Sequence, residues 1–202
     1  RILAEFSKRV AMVANEILEN INLLAKADFY WAKARLARAM KASRPALNDT
    51  GIVDLRRARH PYIAADVVVP IDLYVGENFR TLLITGPNTG GKTVSLKTCG
   101  LLTLMAMCGL QIPAAEHSKV SVFDKVLADI GDEQSIEQSL STFSSHMRNI
   151  VDITEIADSR TLVLTDELGS GTDPSEGAAL AVAILEDLRM AGSITVATTH
   201  YK

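Results

Sequence analysis

The stretch Leu82-Leu83-Ile84-Thr85-Gly86-Pro87-Asn88-Thr89-Gly90-Gly91-Lys92-Thr93 decides the fold. A short, β-favouring apolar run leads into the pattern G-x-x-x-x-G-K-T, and helix-compatible sequence follows from Val94. Strand, glycine loop, helix is the order in which this pattern means a phosphate site. Glycine lets backbone N–H groups converge on phosphate oxygens with no Cβ in the way. Gly86, Pro87, Asn88, Thr89, Gly90, Gly91, Lys92 and Thr93 are therefore the candidate nucleotide-binding residues. Lys92 would reach the β- and γ-phosphates, and the Thr93 hydroxyl would ligate Mg²⁺.

Outward from that loop, bulk properties narrow the class. The chain has 202 residues, 48% of them hydrophobic and 22% charged, which fits one well-cored globular domain with room for an appendage. No apolar run approaches the roughly 20 residues that span a bilayer. The start, Arg1-Ile2-Leu3-Ala4-Glu5, reads as the middle of a helix, with neither an initiator Met nor a signal-peptide layout. We expect a fragment of a longer, cytoplasmic protein. Cys99 and Cys108 lack metal-ligand spacing and are read as buried thiols in a reducing compartment. Residues 1–44 hold nine Lys/Arg against four Asp/Glu, and the remainder holds twelve against twenty. An acidic main body is poorly suited to gripping nucleic acid by itself.

Residues 1–44 read as mostly helical. Leu3, Phe6, Val10, Val13, Ile17, Leu24 and Trp31 fall at steps of three and four, with Asn20 and Ala27 filling two positions. That period describes either a coiled-coil seam or an amphipathic helix lying on its own domain. A second helical segment is expected from Ala27 to Leu36, stopping near Pro45. Residues 45–81 carry short strands, at Thr50–Leu55 and Val67–Leu73, with a nucleotide-base wall placed within Pro61–Val69.

Beyond the loop, an apolar helix Val94–Gly109 is expected, buried on most sides. A strand-like stretch Val120–Asp129, a polar loop at Gly131–Ser135 and a helix from Ser139–Thr142 to about Ala157 come next. Thr161-Leu162-Val163-Leu164-Thr165 is a strand of the fully buried kind. Helix Glu176–Met190, stopped by Gly192, leads to strand Ser193–Thr198. Strand–helix alternation of this kind predicts an α/β fold with parallel strands flanked by helices, behind an N-terminal helical segment. Ligands in such sheets bind at the carboxyl ends of the strands. Asp166 and Glu167 end one strand there, and His200 ends the next. Asp166 is the second candidate Mg²⁺ ligand, Glu167 the general base, and His200 the γ-phosphate sensor. His60, His117 and His146 have no such placement and are read as structural.

The sequence also resembles a known family. Ile84-Thr85-Gly86-Pro87-Asn88-Thr89-Gly90-Gly91-Lys92-Thr93, Asp166-Glu167-Leu168-Gly169-Ser170-Gly171-Thr172 and Thr199-His200-Tyr201 are similar to the phosphate loop, acidic strand end, D-loop and switch histidine of the MutS ABC-type ATPases. Thr93-Val94-Ser95-Leu96-Lys97-Thr98, the run Asp129–Phe143 and Gly171-Thr172-Asp173-Pro174 look more narrowly like its bacterial MutS2 branch. The mismatch-repair branch usually carries Ser at the place of Thr93 and Arg at that of Leu140.

The resemblance implies an ATPase domain, C-terminally truncated, over residues 45–202, with the helical end of a clamp or core region at 1–44. It implies ATP and Mg²⁺ as cofactors and a head-to-tail homodimer with composite sites, in which Ser141, beside Thr142 and Phe143, meets the partner's nucleotide. It further implies action on branched DNA in suppression of recombination, or alternatively on stalled or collided ribosomes, with endonuclease activity in a C-terminal Smr domain that this sequence lacks. A transporter ATPase subunit would require a Leu-Ser-Gly-Gly-Gln-like signature where Leu140-Ser141-Thr142-Phe143 stands. The presence of Lys92, Asp166 and Glu167 together weighs against a clamp that binds ATP only to close, without hydrolysing it.

Overall fold

The computed structural model describes residues 1–87, 90–131 and 139–200, the stretch 139–143 by its backbone alone. The chain forms two compact units, residues 1–41 and 42–202. The first consists of helices α1 (Ile2–Met12) and α2 (Ala14–Ala39). Between them Val13 leaves helical geometry at φ −118°, ψ 17°. The expected break near Ala27 does not exist, because residues 14–39 run through it as one helix. Apolar side chains of the predicted seam, among them Leu3, Phe6, Val10, Leu24 and Trp31, are exposed.

The second unit is α/β. Four parallel strands, β4 (Thr81–Thr85), β6 (Lys125–Asp129), β7 (Thr161–Thr165) and β8 (Ile194–Thr199), lie in the order β4-β8-β7-β6. A mixed sheet of β1 (Ala46–Asn48), β2 (Val53–Ala58), β3 (Ile71–Val75) and β5 (Lys119–Ser121) has the order β1-β5-β2-β3. Among the described residues three helices serve this unit: α3 (Lys92–Met107), α4 (Ser139–Ile156) and α5 (Pro174–Ala191).

Alternation along the parallel strands explains the layering. Successive strand residues face opposite sides. Leu162 and Leu164 of β7, with Ile194 and Val196 of β8, enter a core with Leu96, Cys99, Leu102 and Ala106 of α3. That same core includes Val53, Leu55 and Val75 of the mixed sheet. Val163 and Ala197 point the other way, toward Ile150 and Ile153 of α4 and Ile184 and Leu188 of α5. Each fully buried Leu or Ile contributes about 2 kcal/mol by removal from water. Burial on both faces is why β7 has no exposed residue.

Several expectations shift. The run Val67–Leu73 forms a strand only from Ile71, and Val67 and Val69 are exposed. Pro70 explains the late start, since it has no N–H to donate to the ladder. Val120–Asp129 is two strands, β5 and β6, which pair in different sheets and part at Val122-Phe123-Asp124. Helix α3, in contrast, is buried on most sides as expected, with only Val94 and Leu104 among its residues facing out. Cys99 is buried as expected, but Cys108, just past the end of α3, is exposed.

The two thiols consequently differ in reactivity. Burial pushes the Cys99 thiol up to about 12, and the thiolate is the reactive form. At pH 8 a disulfide reagent should titrate Cys108 quickly and Cys99 only after denaturant is added. Two fast thiols in the native protein would contradict the packing of α3.

Candidate functional site at the carboxyl ends of the parallel strands

The loop after β4 is shaped by glycine. Gly86 and Gly91 have φ +135° and +75°, a region that other residues rarely adopt. A Cβ built at Gly86, Gly90 or Gly91 meets nothing within 4 Å, so these glycines border open space rather than a packed wall. Gly91 caps α3 without a side chain, which leaves the first-turn N–H groups of that helix directed toward the loop. Lys92 opens the helix and is only 4% exposed. Its ammonium donates to the Gly86 carbonyl, tying the two ends of the loop together. Thr93 follows, half-buried. Asn88 and Thr89 lie outside the described residues.

Two strands away, the Asp166 backbone N–H donates to the Asp129 carbonyl at 2.9 Å, carrying the β6–β7 ladder one step further. The Asp166 carboxylate is buried and accepts a 2.5 Å hydrogen bond from the Thr198 hydroxyl. Glu167 turns sharply out of the strand into the left-handed region at φ +50°. A non-glycine residue there is uncommon and costs roughly 1–3 kcal/mol unless its surroundings hold it. The Glu167 N–H donates to Thr198 Oγ1 at 2.8 Å, and the Leu168 N–H to the Thr198 carbonyl at 2.9 Å. Its carboxylate then meets His200 Nε2 at 2.9 Å. His200 Nδ1 lies 3.5 Å from Lys92 Nζ. Lys92, Glu167 and His200, 75 and more residues apart for the lysine, thus form one line of polar groups, with Asp166 joined to it through Thr198.

The arrangement offers hard oxygen donors of the kind Mg²⁺ takes, the Asp166 carboxylate and the Thr93 hydroxyl. It also offers a buried cation and a helix N-terminus suited to phosphate, and a carboxylate whose direction a histidine fixes. Open space at three glycines is where a polyphosphate would lie, so the residues fit a nucleotide with its metal. Ser141 belongs to the first turn of α4, but its side chain, like those of Thr142 and Phe143, lies outside the described residues. The stretch Pro61–Val69 is loop, with Tyr62 exposed. Burial, with the charge of Lys97 on α3 second, holds the nearby His60 below its ordinary pKa.

Sequence reading passed over one group. Thr198 looks like one more strand threonine; the signal was a polar residue two places before a strand-end histidine. His146, read as structural, meets both carboxylate oxygens of Asp129, at 3.0 and 3.1 Å, while Asn149 donates to Asp129 Oδ1 at 2.8 Å. Together they fasten α4 to the end of β6.

Comparison with known proteins shows the family. The family described as MutS domain V matches residues 82–202. A protein of Lachnospira eligens named Endonuclease MutS2 is 60% identical over 200 residues, 99% of this chain and 25% of that protein. Proteins of the same name from a Geobacillus species and from Listeria innocua are 61% and 62% identical over 201 residues. This chain spans about a quarter of the length of these curated relatives.

The hydrogen bonds of His200 set its tautomer. Nε2 must carry the proton to donate to Glu167, which leaves Nδ1 to face the Lys92 ammonium. Selective ¹⁵N-histidine labelling at pH 8 should therefore show His200 protonated at Nε2. A signal for the Nδ1-protonated tautomer would rule out the Glu167–His200 contact.

Proposed function

The chain belongs to the MutS family, through its domain V, and within it to the MutS2 type, and from that premise we propose that its second unit is a Mg²⁺-dependent ATPase whose turnover opens and closes a dimer. The observation that carries the reading is the meeting of Lys92, Glu167 and His200 at the carboxyl ends of β4, β7 and β8. Lys92 and the N–H groups at the start of α3 hold the phosphates. Thr93 and Asp166 would hold the metal, which would supply neutralisation of phosphate charge. Glu167 orients and deprotonates the attacking water, and His200 keeps that carboxylate aimed while facing the γ-phosphate.

In this proposal Ser141, at the start of α4, completes the nucleotide site of a partner subunit, so ATP favours closure. Relatives carry the name Endonuclease, and the MutS2 resemblance makes branched DNA the substrate of the full-length protein, with ribosomes the competing target. The acidic balance of residues 45–202 puts the nucleic-acid contact outside this unit.

Glu167→Gln in the full-length protein should lower ATP turnover about 100-fold or more, the usual scale for losing a general base. ATP binding should persist, and gel filtration with ATP should show a retained dimer. Unchanged turnover in that variant would remove Glu167 from the role. Branched DNA and stalled ribosomes, added separately to the wild-type ATPase assay, should show stimulation by the DNA; stimulation by ribosomes alone would reassign the target.

A further inference from the structure

β8 carries its apolar row Ile194, Val196 toward α3, and the next residue of the same parity is Thr198. β7 carries Leu162 and Leu164 to that side, and the next residue is Asp166. Both strands thus place a polar residue in the layer just above the last apolar pair, on the side where Lys92 lies. Thr198 is fully buried, where a hydroxyl is expected to have partners. It donates to the Asp166 carboxylate and accepts from the Glu167 N–H. A single oxygen therefore touches two consecutive acidic residues, one through its side chain and the other through its backbone.

The rest of the neighbourhood converges on the same short segment. The Thr198 carbonyl receives the Leu168 N–H, and the Thr199 hydroxyl donates to the Leu168 carbonyl at 3.2 Å. His200 holds the Glu167 carboxylate. Residues 166–168 are thereby clamped against residues 198–200, and the left-handed backbone of Glu167 lies in the middle of that clamp. Without the hydroxyl, the Glu167 N–H would be left without its partner and the strained backbone without its restraint. Relaxation of φ from +50° to negative values would swing the carboxylate away from His200.

Resting on the ATPase reading above, we propose that Thr198 is a positioning residue for hydrolysis, acting through Glu167 and Asp166. Its hydroxyl both donates to and accepts from groups of the chain itself. It therefore governs kcat far more than nucleotide affinity.

The test uses the full-length protein with Thr198→Val, which keeps the shape and removes the hydroxyl, and Thr198→Ser, which keeps the hydroxyl. T198V should lose about tenfold or more in kcat per folded molecule, while affinity for a fluorescent ATP analogue and KM stay within about threefold. T198S should return kcat to within about threefold of wild type. Equal impairment of the two variants, or a T198V kcat within about twofold of wild type, would overturn the proposal. If T198V does not fold, T198S decides alone: a loss beyond about tenfold overturns the role of the hydroxyl, and near-wild-type kcat supports it. Absence of turnover in the wild-type protein would defeat the ATPase reading itself, and this inference with it.

Discussion

Strands β7 and β8 are buried on both faces along their whole length, and the second unit is arranged around that constraint. A strand covered by α3 on one side and by α4 and α5 on the other can present chemistry only past its last apolar residue. Asp166, Glu167 and His200 occupy those positions. The loop after β4 comes to the same end because β4 runs parallel to β8, in register from Thr81–Thr195 to Thr85–Thr199. Functional groups far apart in sequence are neighbours through pairing, with Lys92 brought to them at the start of α3.

The strand ends must turn abruptly once they leave the sheet, and the two turns are solved differently. After β4 the turn is made of glycine, whose positive φ angles cost little and whose missing side chains leave a concavity. After β7 it is made by a glutamate in the same left-handed region, where strain is the expected cost. Surrounding hydrogen bonds from 198–200 compensate. A glycine at 167 would relieve the backbone and forfeit the carboxylate, so the position combines a demanding conformation with a necessary side chain. The clamp formed by Thr198, Thr199 and His200 lets the two coexist.

Much of this was legible in the sequence because its signals were local. The glycine loop, the apolar run at 161–165 and Gly192 each announce an element through their immediate neighbours, and the α/β class follows from their order. The residues that escaped did so because their meaning is non-local. Thr198 has a role only because β8 lies beside β7, which places its hydroxyl under Asp166. Cys108 was misjudged because it lies in an apolar stretch, whereas the chain leaves the core just past the end of α3. Val67–Val69 carried strong strand propensity that Pro70 stopped from joining the ladder.

The strand order has a consequence for how the molecule comes into being. β8, which follows the other parallel strands in sequence, lies between β4 and β7 in space. Until residues 194–199 have been synthesised and inserted, β4 has no partner in that sheet among the described residues, and β7 is paired there on one side only. Contacts between partners more than 100 residues apart, such as Thr81 with Thr195, place this topology among slow-folding ones. In the interval the open edges of β4 and β7, both rich in apolar side chains, are templates for intermolecular pairing. A nascent chain stalled short of β8 would thus leave those edges open, and insertion of β8 is the step that covers them and brings residues 198–200 to Asp166 and Glu167.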